Sequence, residues 1–160
     1  MEEDIVRALI HESGHAVVAV LQEIPCDGIY YLKDRKRFCT IAYFPPELLK
    51  EHYLFYAGGV AAERIFYGKE ECGPSKADKS VFDKAGAPVF ENTVNEIQPI
   101  LLGKKKEMDT LKAKLIPKVA QGGIGLCLLP DTYKSLNGTD ERCALLLSKV
   151  ELENVIQQSK

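Results

Sequence analysis

No stretch of this 160-residue chain reaches the roughly 18 consecutive apolar residues that a membrane-crossing helix requires. The first residues, Met1-Glu2-Glu3-Asp4, are acidic and lack the charged-then-apolar layout of a secretory signal. No CxxC pair occurs among the five cysteines (Cys26, Cys39, Cys72, Cys127 and Cys143), and their odd number argues against a disulfide framework. These absences point to a reducing, cytoplasmic compartment. The net charge is −2, so no strongly basic surface predicts nucleic-acid binding. There is no internal repeat or low-complexity segment, and the length suits one compact domain over 1–160. A GxxxxGK[ST] loop is also missing, which excludes a P-loop ATPase module from these residues.

Histidine is scarce too. The chain has three, and two of them fall in His11-Glu12-Ser13-Gly14-His15. On a helix, residues four apart share a face, so His11 and His15 can both turn an imidazole towards one ion. Glu12 sits beside them, where it can reach a water on that ion. Two His, a third protein ligand and an open position form the usual arrangement of catalytic Zn²⁺. Such an ion lowers the pKa of its water to about 7 and polarises a carbonyl, while the Glu takes the proton. HExxH therefore predicts metal ligation by His11 and His15, with Glu12 as the catalytic base.

The flanking residues supply the helix that this reading needs. Glu2, Glu3 and Asp4 place negative charge at its first turn, where the macrodipole favours it. Ile5, Val6, Leu9, Ile10, Val17, Val20 and Leu21 form an apolar face at helical spacing, and Pro25 ends the helix. Gly14 costs about 1 kcal/mol against Ala in a helix interior. It has two possible reasons: close approach by a backbone or substrate, or tight helix–helix packing.

Beyond it, 28–32 and 38–44 read as two strands around the charged turn 33–37. Their edge either accepts an extended peptide by strand addition or simply covers the core. Pro45-Pro46 opens a second helix from about Glu47 to Tyr67, ended by Gly68 and carrying the small residues of 57–62. A third helix is expected from 75–78 to about Ala85. A longer helical region follows from about Val89 to Leu115, interrupted or kinked at Pro99. Residues 121–125 read as a loop, 126–129 as a short strand, and Thr139 as the cap of a last helix. On that helix Cys143, Leu146, Leu147 and Val150 share a face, suited to core packing or to a homo-oligomer contact. Lys104-Lys105-Lys106 reads as a solvated face. The fold class is mainly α (α+β), with an HExxH helix and a small β-hairpin.

A catalytic zinc needs a third ligand. An HExxHxxGxxH pattern is excluded, because positions 18 and 21 are Val18 and Leu21. The residues leave Glu47, Glu51, His52, Glu63, Cys72, Asp78 and Asp83 open. Here the chain resembles a family. Residues 11–18 look like the HEAGHAVV signature of the FtsH-type membrane-bound AAA metalloproteases. Residues 57–68 look like that family's GGRAAEE-I-F-G segment, and 73–78 are similar to its GASND segment. The resemblance covers about 5–85 well, continues loosely through 91–115, and is absent over 120–160.

The resemblance implies a helical, zincin-like peptidase domain whose third zinc ligand is Asp78. The family spaces its Gly and Asp one residue closer than Gly73 and Asp78, so Asp83 is kept as a fallback. Ser75-x-x-Asp78 also fits a capping box, which needs no metal. The resemblance places Glu63 beside the site, where a carboxylate can fix the tautomer of a ligand His. On the surface it would instead pair with Arg64 or Lys69. Without an ATPase module, the implied activity is ATP-independent hydrolysis of peptides or unfolded segments. A zinc-dependent interaction module and a hydrolase of non-peptide bonds are the competing readings.

Overall fold

The computed structural model describes residues 2–45, 47–74, 76–84, 86–120 and 143–157; of Lys76 and Ala77 it describes the backbone alone. Among the described residues there are nine elements, in chain order α1 Glu3–Leu21, β1 Cys26–Leu32, β2 Arg37–Ala42, α2 Leu49–Tyr67, α3 Lys76–Phe82, α4 Phe90–Leu102, α5 Lys105–Ala120, β3 Cys143–Ser148 and α6 Lys149–Gln157. The described residues are mainly helical, with one small antiparallel sheet ordered β2-β1-β3. Among them no helix is long and apolar enough to cross a membrane.

Helix α1 is the centre of the molecule. Its residues from Leu9 to Ala19 are buried except Glu12, so the helix is enclosed on most of its circumference. It packs against α2 on one side and α5 on another, and the sheet covers a further face. The core joins Leu9, Ile10, Val17 and Val18 of α1 to Val60 and Ala61 of α2, Ile97 and Leu101 of α4, and Leu111 and Leu115 of α5. The small residues of α2 do what their size allows. A Cβ on Gly14 would lie 2.3 Å from the Gly58 carbonyl oxygen and 2.6 Å from the Ala62 Cβ. Both reasons for Gly14 meet here, since the α2 backbone at Gly58 approaches closely as part of the helix–helix packing. Helix α2 ends at Gly68, whose φ of 77° suits a residue without a Cβ.

The hairpin lies where it was read, with Ile29 opposite Thr40 and Tyr31 opposite Phe38. The C-terminal part differs from expectation. Cys143, Leu146 and Leu147 belong to a strand, with Leu32 opposite Cys143 and Ile29 opposite Leu147. A six-residue apolar run is too short for its period to separate strand from helix. The last helix starts only after it. Ser148 Oγ accepts the Glu151 N–H at 3.2 Å, while Glu151 Oε1 accepts the Ser148 N–H at 3.2 Å. This reciprocal capping box makes Ser148 the cap; Thr139, the 121–125 loop and the 126–129 strand lie outside the described residues. Leu146, Leu147, Leu152 and Ile156 join the same core as α1.

The expected helix from Val89 to Leu115 is two helices. They break at Gly103-Lys104, and Pro99 lies inside α4. One missing N–H does not end a helix whose Val94, Ile97 and Leu101 are buried on one face. Helix α5 also runs past Leu115 and contains Pro117. Cys143 is disulfide-bonded, whereas Cys26, Cys39 and Cys72 are not in disulfides. One disulfide is short of a framework, yet the odd cysteine count did not foretell it.

Candidate metal centre

His11 and His15 lie one turn apart on α1, with ring centroids 4.8 Å from each other. Both rings are buried, and both are held through Nδ1. His15 Nδ1–H donates to the Phe55 carbonyl of α2 at 2.7 Å. His11 Nδ1 lies 2.7 Å from Glu63 Oε2, also on α2. With Nδ1 engaged as a donor, each Nε2 carries its lone pair towards the same point. Gly59 leaves the space for this. A Cβ there would sit 2.3 Å from His11 Nε2.

Asp78, in the first turn of α3, faces both rings. Its Oδ2 is 3.8 Å from His11 Nε2 and 3.8 Å from His15 Nε2. Zinc bonds of about 2.0–2.2 Å at tetrahedral angles separate neighbouring ligand atoms by about 3.3–3.6 Å. The three atoms therefore fit an ion between them with a contraction of a few tenths of an ångström. One ligand atom each from His11, Glu12 and His15 also lies within 4.8 Å of the others, so this group could hold a metal ion. The donor set of two imidazoles and a carboxylate suits Zn²⁺ among other divalent ions.

The electrostatics favour positive charge here. Burial alone lowers the His11 pKa, but the Asp78 and Glu63 carboxylates outweigh it and raise the value to about 10. A cation at the rings meets the same two carboxylates and displaces the proton when it binds. Glu63 is fully buried, which removes the surface pairing with Arg64 or Lys69. Arg64 instead pairs with Glu70 and Glu91. The other Glu63 oxygen, Oε1, accepts the N–H groups of Glu71 and Cys72 at 3.1 and 3.0 Å. Burial raises the Glu63 pKa, but these donors and His11 lower it further, so the carboxylate stays ionised. Glu63→Gln is expected to keep the fold and weaken zinc binding about 10–100-fold, read by competition with a chelator. An unchanged affinity would show that Glu63 does not tune the ring.

Glu12 stands at the mouth, tied to the sheet. Its Oε2 accepts the Thr40 N–H at 2.8 Å and lies 2.7 Å from Thr40 Oγ. Thr40 is on β2, an edge strand of the sheet among the described residues. A cleft of about 570 Å³ runs between α1 and this edge, lined among others by His11, Glu12, His15, Thr40 and Asp78. Cys72 also lines it, whereas Glu47, Glu51 and His52 do not. His52 is half-buried and stacks on Phe44 at 4.0 Å, so it is not on an exposed face. Asp83 is exposed at the far end of α3.

Three contributors had no distinct sequence signal: Thr40 holding Glu12, Gly59 admitting the His11 ring, and the Phe55 carbonyl orienting His15. A threonine in a strand, a glycine in a small-residue run and a backbone oxygen all look ordinary in sequence. Compared with models of known protein families and with characterised proteins, the chain has no match.

Proposed function

We propose that the chain is a zinc metallopeptidase of zincin-like fold that cleaves peptides or unfolded segments without ATP. The observation that carries this reading is the convergence of His11 Nε2, His15 Nε2 and Asp78 Oδ2 beside Glu12 at the floor of a cleft. The motif resemblance to FtsH-type peptidase domains supports it.

His11, His15 and Asp78 would hold the ion. Bound Zn²⁺ supplies Lewis acidity to a carbonyl and acidifies a water to near neutrality. Glu12 does the proton work. Thr40 anchors its carboxylate, which accepts a proton from the attacking water and returns it to the leaving amine as the C–N bond breaks. Among the described residues no strand pairs with β2 on the side away from β1, and that side would offer backbone groups to an extended chain. Glu63 and the Phe55 carbonyl keep the two rings in the tautomer that presents Nε2.

The test is hydrolysis of casein by the zinc-loaded chain, before and after stripping with a chelator. Cleavage lost on stripping and restored by Zn²⁺ supports the proposal. Stoichiometric zinc without cleavage moves the reading to a zinc-dependent interaction module. Casein left intact beside a cleaved ester would move it to a non-peptide hydrolase.

A further inference from the structure

The cleft is chemically different at its two ends. Thr40, at Glu12, sits between them. Beyond Thr40 in one direction lie Ala42, Phe44, Phe55 and Tyr56. The three rings pack together, with Phe44 5.0 Å from Phe55 and 5.6 Å from Tyr56 between centroids. In the other direction the lining residues are Phe38, Arg37 and Lys36, where β2 leaves the hairpin turn. Neither Lys36 nor Arg37 forms an ion pair among the described residues. Among the described residues Arg37 Nε is moreover buried without a hydrogen-bond partner. A buried donor left unmade costs about 1–3 kcal/mol, and more when it is charged, so an acceptor brought to this guanidinium is favoured.

The charge around this end has a definite sign. Of the anions that line the cleft, Glu12 and Asp78 belong to the metal cluster, and Asp4 on the first turn of α1 is the third. A neighbouring cavity of about 650 Å³ shares Ile5, Lys36 and Phe38 with the cleft and adds Lys33 and Lys118. Lys118 is paired with Glu151 at 3.1 Å. Lys36 and Arg37 set against Asp4 leave the cleft lining positive at the hairpin end.

We propose that Lys36 and Arg37 bind a carboxylate of an extended peptide whose apolar side chain lies against Phe44, Phe55 and Tyr56. This deepens the peptidase reading and rests on it. Arg37 and Lys36 are three and four positions from Thr40. At about 3.3 Å per residue, the carboxylate lies about 10–13 Å along the chain from the bond at Glu12. An acidic side chain or a free C-terminus can supply it.

The experiment is fluorescence anisotropy of labelled, amidated decapeptides with zinc-loaded Glu12→Gln protein, which holds peptides without cleaving them. Each peptide has a central Phe, with Glu, Gln or Lys three or four residues to one side or the other. A further Gln peptide carries a free C-terminus. For one placement, the Glu peptide is expected to bind about tenfold tighter than the Lys peptide, with the ratio shrinking as salt rises. The double variant Lys36→Glu/Arg37→Glu inverts the preference. The exposed single variant Lys36→Glu, which leaves Arg37 in place, reduces it. Tighter binding of the free C-terminus than of its amide makes the chain end the source of the carboxylate; tighter binding of internal Glu makes it a side chain.

Equal binding of the Glu, Gln and Lys peptides overturns the proposal, as does an acidic preference that survives both variants, or no binding at all. Acidic preference without casein cleavage by the wild type removes the peptidase reading and leaves the carboxylate site standing. Cleavage without the preference does the reverse.

Discussion

Glu12→Gln is expected to bind zinc as the wild type does and to hydrolyse casein about 10²–10⁴-fold more slowly, the range of a lost general base. The substitution keeps the shape of the side chain. A Gln oxygen can still accept the Thr40 N–H, which now donates to Glu12 Oε2 at 2.8 Å, and the Thr40 hydroxyl. The two rings, Asp78 and Glu63 are untouched. What disappears is the oxygen that takes a proton from water. A fall in rate with zinc retained therefore isolates proton transfer from metal binding. An unchanged rate would mean that Glu12 is not the base, and the mechanism above would fail.

Gly14→Ala is expected to lower the melting temperature by about 2–8 °C and to weaken zinc binding with it. Helix propensity argues for the opposite sign, since Ala is favoured over Gly by about 1 kcal/mol in a helix interior. Packing outweighs it. The new methyl would lie 2.3 Å from the Gly58 carbonyl oxygen and 2.6 Å from the Ala62 Cβ. Neither atom is the end of a flexible side chain, so α1 and α2 must move apart. Overpacking of this kind costs about 1–3 kcal/mol or more, and each kcal/mol lowers the melting temperature by about 2–4 °C at this chain length. The function follows the stability because the site is split between the two helices. Helix α1 carries His11 and His15, and α2 supplies Glu63 and the Phe55 carbonyl that orient them. A rise in melting temperature would show that the helices are not in this close contact.

Much of this arrangement was readable in the sequence, and the unread parts have physical reasons. The spacing of His11, Glu12 and His15 needs only local helix geometry to reach one face, so it could be read directly. The hairpin was legible for a similar reason, since both strands and their turn are contiguous. Asp78 came from a motif resemblance with a one-residue slip, and the structure places its carboxylate, not that of Asp83, against both rings. The C-terminal strand was misread because CALLLS has too few residues to show a period, and its partner β1 lies over a hundred positions away. The break falls at Gly103, and not at Pro99 as one of the two readings had it, because burial of one face carries α4 through the proline. Thr40, Gly59 and the Phe55 carbonyl act through tertiary contacts, which no local pattern encodes.

The most direct measurement is the zinc content of the purified chain, taken beside its cleavage of casein and that of Glu12→Gln. One zinc per chain in both proteins, with cleavage in the wild type alone, is the expected result. A chain that takes up no zinc after reconstitution, or a Glu12→Gln protein that cleaves as fast as the wild type, would contradict the metallopeptidase reading.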